Sequence, residues 1–361
     1  MTEHISAHPR SLIMPPGVAH SYPLSRADRL MAWIDSLWFP AWMFYLIIWL
    51  ILLGIEVLIQ WHDGTYPVGT VPSLHLFYTA TLPYGLCAIH YLDKWAFDAL
   101  RRFRPAMDLD DDEFVELCYR FTNMPPRGAM RATIAALLVT IALMLLVPVE
   151  LRKHLLILSD SPLSLGFNAL LSLATWTTML GPVFYHSMHH LRMVDYIYTR
   201  HTRINLFSLR PLYALSGLLL RGAIALVLVA YAWFATGPDF MSAPVTIGLG
   251  LFCLIVAGLV FFSPLVGIHQ LLLAEKGRLL AECRARIGAI TAELHRRVDS
   301  MTLEEMDSLN KALISLDLER AALDRIPTWP WQPETLRNVI AALLFPLVVW
   351  LIQNALRHFF A

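Results

Sequence analysis

Cysteine, charge and signal-peptide character are what this chain has least of. Its four cysteines, Cys87, Cys118, Cys253 and Cys283, are scattered without paired spacing, so neither a disulfide scaffold nor a cysteine-based zinc framework follows. Charged residues are only 16% of the 361 and cancel to a formal net charge of zero. A chain with no basic excess is not expected to bind nucleic acid. The first 39 residues are polar, contain proline and histidine, and lack the apolar core and small-residue cleavage site of a secretory signal. The acidic run DLDDDEFVE at 108–116 lacks the alternating ligands and central glycine of an EF-hand loop. Its acids are expected to open a helix, where they complement the dipole.

What is abundant is apolar surface. Hydrophobic residues make up 57% of the chain and the mean hydropathy is +0.54, well beyond an ordinary soluble domain. Crossing a bilayer as a helix takes about 20 apolar residues. Seven runs meet that need, at 40–61, 74–92, 130–150, 163–187, 212–236, 243–270 and 334–356. The predicted fold is therefore all-α, a polytopic membrane protein with seven transmembrane helices. Basic residues orient it: 24 of the 28 Lys and Arg fall on one side, against Arg152, Lys153 and Arg357 on the other and Arg221 inside the fifth run. The positive-inside rule gives a cytoplasmic N-terminus and an outward C-terminus, with multi-pass residence in the cell inner (plasma) membrane.

Four parts follow along the chain: a cytoplasmic tail at 1–39, helices one to six at 40–270, a cytoplasmic helical hairpin at 271–333 and helix seven at 334–361. In the tail, Ser25 caps a short helix expected to lie on the inner membrane surface, with Leu30, Trp33, Ile34, Leu37 and Trp38 on one face. In the hairpin, Leu280, Cys283, Ile287, Ile290, Leu294, Val298 and Met301 form one apolar seam, and Met306, Leu309, Leu313, Leu316 and Leu323 a second. A capping box, Thr302 with Glu305, separates them. The sixth span should thus project into the cytoplasm and fold back, its seams buried against each other or against a neighbouring subunit. The joint IPTWPWQPETL, at 326–336, returns the chain to the membrane. Its prolines forbid a continuous helix, and Trp329 and Trp331 suit the aqueous interface.

This organisation resembles the seven-transmembrane ion channel superfamily of insect odorant and gustatory receptors and their distant relatives. The likeness is architectural and spans nearly the whole chain. Of the gustatory-type helix-seven signature, Thr-Tyr, five apolar residues and Gln-Phe, residues 346–354 match the spacer and Gln353 only. The resemblance implies a homotetramer in membrane lipid with helix seven around a central cation pore. Asn338, Phe345, Val349 and Gln353 would line it, and Gln353 would form an amide ring. It also implies a small-molecule pocket in the outer half of the bundle, for which Glu56, Trp61, Tyr78 and Trp176 are placed to serve. No cofactor is expected on this reading.

Histidine supports a rival. YHSMHHLRMVDY sets His186, His189 and His190 on one helix face at the cytoplasmic end of span four, an H-x-x-H-H pattern similar to one box of the membrane fatty-acid desaturases, which carry several. His90 and His269 end spans two and six at a similar depth. Five imidazoles converging there would bind iron or zinc and make a metal-dependent membrane enzyme, although no glutamate lies between paired histidines as in a metalloprotease. A non-conducting scaffold or sensor is the third reading. Glu56 and Arg221, charges within spans, are expected to face the bundle interior, with a direct pair within reach of the long arginine.

Overall fold

The protein, seen in a computed structural model, is described over residues 21–352 except 157, 203–204, 208, 237–243, 302–305, 330, 332–335, 339, 342–343, 346–347 and 349–351. For 152–155, 230–236, 244–254, 256 and 260 the description covers the backbone alone. All regular elements among the described residues are helices, with a single isolated bridge between Met107 and Thr202. Five helical stretches are long and apolar enough to cross a membrane: Ala41–His62, Asp111–Leu146, Pro162–Arg200, Leu212–Val229 and Ala257–Asp299. They overlap the first, third, fifth and sixth predicted runs and contain the fourth.

Helix α1, Arg26–Asp35, opens with the expected cap, and Asp28 completes a capping box with Ser25. Its buried stripe is Met31 and Ile34, packed on Tyr45 and Ile89, rather than the wider tryptophan face. Trp38 and Trp33 are exposed, Trp33 resting its ring edge-on against Phe44 at 5.7 Å, which suits side chains that anchor at headgroup depth. Helix α2, Ala41–His62, and helix α3, Ser73–Phe103, pair as a hairpin. Pro83 lies inside α3, yet the helix runs well past the predicted end at 92. The Tyr84 hydroxyl crosses to the Ala225 carbonyl at 2.7 Å.

After a 3-10 turn, helix α4, Asp111–Thr122, is capped by Asp110, with three acids in its first turn as expected. Helix α5, Pro126–Leu146, stops before Pro148, because the preceding Val147 is forced into an extended conformation. Helix α6 covers Val149–Leu156. Helix α7, Pro162–Thr178, passes through a π-turn at Met179–Val183 into helix α8, Phe184–Arg200. Pro182 sits in that turn, and the wider ring absorbs its missing donor. Helix α9, Leu212–Thr236, and helix α10, Pro244–Asp299, complete the bundle. Its core joins Leu100, Phe103, Phe121, Val194, Ile197, Leu215, Phe261, Leu265 and Ile268, all fully buried.

Helix α10 is 56 residues long, about 84 Å by helical rise and far more than a bilayer needs. Helix α11, Met306–Arg325, folds back along its distal part. Cys283 Sγ donates to the Leu316 carbonyl at 3.3 Å, and Lys276 Nζ caps the carbonyls of Asp324 and Ile326 at 2.8 and 2.9 Å. The predicted antiparallel rods are present, with Cys283 and Leu323 fully buried between them; Val298 and Met301, expected at the end of the first seam, are instead exposed, and the capping box at 302–305 lies outside the described residues. The joint is wedged onto α10. His269 stacks on Trp329 at 3.8 Å, Trp329 on Trp331 at 4.3 Å, and Trp331 meets Phe261 and Phe262 at 6.1 Å. Beyond it, residues 336–352 are helical where described.

Gly181 sits at the π-turn because a Cβ there would stand 3.0 Å from the Thr133 backbone and 3.3 Å from Ala136 Cβ. Gly181→Val is expected to lower stability by about 1–3 kcal/mol through overpacking, read as a fall in Tm in detergent. An unchanged Tm would mean that α5 and the α7–α8 turn are not in close contact.

Candidate functional site: two buried acid–histidine clusters

Two polar clusters lie near opposite ends of α3, on His75 and on Asp93. Eighteen residues of helical rise separate these by about 27 Å, close to the thickness of a bilayer's hydrocarbon.

The first cluster is built around Glu56 on α2, which is completely buried. A carboxylate there is tolerable only with dense compensation. His75 Nδ1 stands 2.7 Å from its Oε1. Gln60, one turn on, donates to Oε1 at 3.0 Å, and Asn168 Nδ2 reaches both oxygens at 3.3 and 3.1 Å. Ser164 accepts from Gln60 at 2.9 Å, and the Tyr66 hydroxyl meets His75 Nε2 at 2.7 Å. Tyr78 extends the network, its hydroxyl touching Ser172 and the Asn168 carbonyl. Two of the four expected pocket residues, Glu56 and Tyr78, are therefore brought together through Asn168. The other two are not: Trp61 turns to the Thr70 carbonyl at 2.8 Å, and Trp176 is exposed. Arg221 does not pair with Glu56. It donates to the Gly217 carbonyl at 2.9 Å and covers the Trp95 ring at 3.5 Å, because the two charges sit toward different ends of the bundle.

Just outside this cluster, the Asp63 carboxylate accepts from the hydroxyls of Ser159, at 2.6 Å, and Ser161. Those hydrogen bonds, with His62 adding to them, hold its pKa below the usual carboxylate value.

The second cluster joins α3 to α8. Asp93 Oδ1 lies 2.7 Å from His186 Nε2 and 3.6 Å from His190 Nε2. All three side chains are buried, the two imidazoles meet at a tilt with centroids 4.1 Å apart, and Phe121 packs on His190 at 5.2 Å. Asp28 approaches from α1, its Oδ2 accepting the amides of Ser25 at 3.2 Å and Met124 at 3.0 Å. Burial, and then the charge of Asp93, raise the Asp28 pKa against the pull of those bonds and of His186. Beside it, His90 bridges Asp35 at 2.8 Å and the Tyr45 hydroxyl at 3.0 Å, with Lys94 3.3 Å from Asp35.

The five expected histidines do not converge. His186 and His190 meet, His189 turns to the Arg120 carbonyl at 2.7 Å, His90 is held by Asp35, and His269 donates to the Thr328 carbonyl at 3.0 Å in the joint. Of the expected pore residues, Asn338 and Phe345 are exposed; Val349 and Gln353 lie outside the described residues. Sequence reasoning missed Asp93, His75, Gln60, Asn168 and Asp35. Asp93 had a signal: it interrupts Ile89, Ala96 and Leu100, a stripe at four- and three-residue steps. Ser164, Asn168 and Ser172 likewise recur every fourth residue on one face of α7. No family model, curated protein or solved structure matches the chain, so the site is read from its own geometry.

Two outcomes are expected. His75→Ala strands a buried carboxylate and should cost about 3–5 kcal/mol, while the double variant Glu56→Gln, His75→Gln recovers most of it; equal losses in both would show that the pair is not the stabilising contact. For Asp63 the folded pKa is depressed, so its contribution is present above the unfolded carboxylate pKa and is lost as pH falls through the folded value. Asp63→Asn should flatten the acid limb of a Tm-against-pH curve, and an unaltered limb would remove Asp63 from that role.

Proposed function

We propose that the chain is a homo-oligomeric, channel-like or receptor-like membrane protein, oriented with the hairpin in the cytoplasm and spanning the bilayer seven times. Lipid surrounds the outer helices, and helix seven lines a central pore with Asn338, Phe345, Val349 and Gln353.

The observation that carries the reading is the terminal helix. Its described residues from Arg337 to Ile352 are all exposed, among them Ile340 at 46%, Leu344 at 51% and Val348 at 46%. Apolar positions exposed in this way gain their burial from lipid or from other copies, and Asn338 favours protein or water over lipid. The rods supply a means of gathering copies. The outward faces of α10 and α11 carry Val298 at 45%, Ile314 at 53% and Leu318 at 67% exposure, beyond the length a membrane would cover. The Trp–Trp–His stack then fixes how helix seven hangs from α10. The Glu56–Asn168–Tyr78 network, at the opposite end from the rods, is the place for a small ligand on the receptor side of this reading.

Reconstitution in nanodiscs tests it. Particle images are expected to show a tetramer with the terminal helices around the axis, and Asn338→Cys is expected to give interchain disulfide dimers under mild oxidation. A stable monomer, with no cross-link at that position, would overturn the proposal.

A further inference from the structure

Where α3 passes α8, three ligand-type atoms from three buried side chains face one another. We propose that Asp93, His186 and His190 form a binding site for one divalent transition-metal ion of the zinc or ferrous-iron class, which cross-braces these two helices.

The donor set is one carboxylate oxygen and two imidazole Nε2 atoms, all within 4.8 Å of one another. His186 and His190 are one helical turn apart, so α8 presents both on one face. A tetrahedral ion bound at about 2.0–2.1 Å from each donor holds those donors roughly 3.3 Å apart. The two separations from Asp93 Oδ1, 2.7 and 3.6 Å, bracket that value, so small side-chain adjustments admit the ion.

Hydrogen bonding alone leaves this arrangement incomplete. A single proton satisfies Asp93 Oδ1 and His186 Nε2, whereas His190 Nε2 is buried, directed at the same oxygen and makes no hydrogen bond. Native proteins rarely leave a buried imidazole nitrogen in that state. An ion replaces the shared proton and engages both nitrogens together. Mixed nitrogen and oxygen donors suit zinc or iron, whereas calcium and magnesium call for oxygen shells. His189, His90 and His269 are each engaged elsewhere, so the H-x-x-H-H run contributes its first and last imidazoles only, and the third donor comes from another helix. The site is independent of the assembly proposed above, because all three donors belong to one chain.

Elemental analysis of protein purified without chelator is expected to give about one zinc or iron per chain, the element telling the two apart. His186→Ala with His190→Ala should reduce it to background, while His189→Ala and His90→Ala retain it. Because the double variant removes two buried side chains, the wild type provides a second arm. After stripping with a chelator, it should develop cobalt(II) ligand-field absorption that zinc displaces, and its Tm should rise with added zinc. Stripped wild type that stays folded yet shows neither the absorption nor a Tm shift would overturn the proposal, as would a double variant that keeps its metal.

Discussion

Charge buried inside an apolar helical bundle has to be answered by the bundle itself, since its burial removes the water that would otherwise do it. That constraint organises this protein more than any apolar contact does. Glu56 is met by a histidine, a glutamine and an asparagine drawn from three helices. Asp93 is met by two histidines from a fourth. Apolar packing among leucines and valines tolerates sliding and repacking, and lipid competes with it on equal terms. A buried carboxylate with directional partners does not tolerate either. The relative positions of α2, α3, α7 and α8 are therefore set by these few side chains, and the oily remainder of each helix fills in around them.

The arrangement also explains why α3 reads weakly as a span. Its buried face carries His75, Tyr78, Thr79, His90 and Asp93, so its hydropathy is low although the helix is 31 residues long. It is polar because it is central. Neighbouring helices cover it: His75 faces α2, Tyr78 faces α7, His90 faces α1 and α2, and Asp93 faces α8, while the Thr79 hydroxyl returns to its own helix at the His75 carbonyl. Outer helices such as α2 can be apolar nearly all round, since lipid and protein both accept such a surface.

Much of the plan was legible in the sequence, and the reasons differ by element. The Ser25 cap, the acids opening α4 and the hairpin seams depend on residues within a turn or two of each other, which local patterns capture. Helix ends were harder. α8 continues past the predicted 187 to Arg200 because its inner face, Met193, Val194 and Ile197, is buried in the core, and tertiary contact extends a helix beyond its apolar run. The site was legible by halves. The i, i+4 histidines were visible as a motif, but their carboxylate partner lies 93 positions away in the chain, and only folding joins them. His269 misled for the same reason: a histidine at a helix end resembles a ligand until Trp329 is seen stacked on it.

That stack bears on how the two halves of the molecule communicate. A proline-rich joint left to itself is a hinge, since it lacks the backbone hydrogen bonds that would stiffen it. Here the rings of His269, Trp329 and Trp331 are layered against α10, with Phe261 and Phe262 beneath, and the Thr328 carbonyl is tied to His269. Stacked aromatics resist bending at the joint while leaving sliding along the ring planes comparatively cheap. Displacement of the rods would then reach the terminal helix as a shift along α10 rather than being lost in a flexible linker. Phe261 belongs to the core that holds α9 and α10 together, with Phe262 and Trp331 packed against it, so a change in the bundle's packing would reach the joint along the same route.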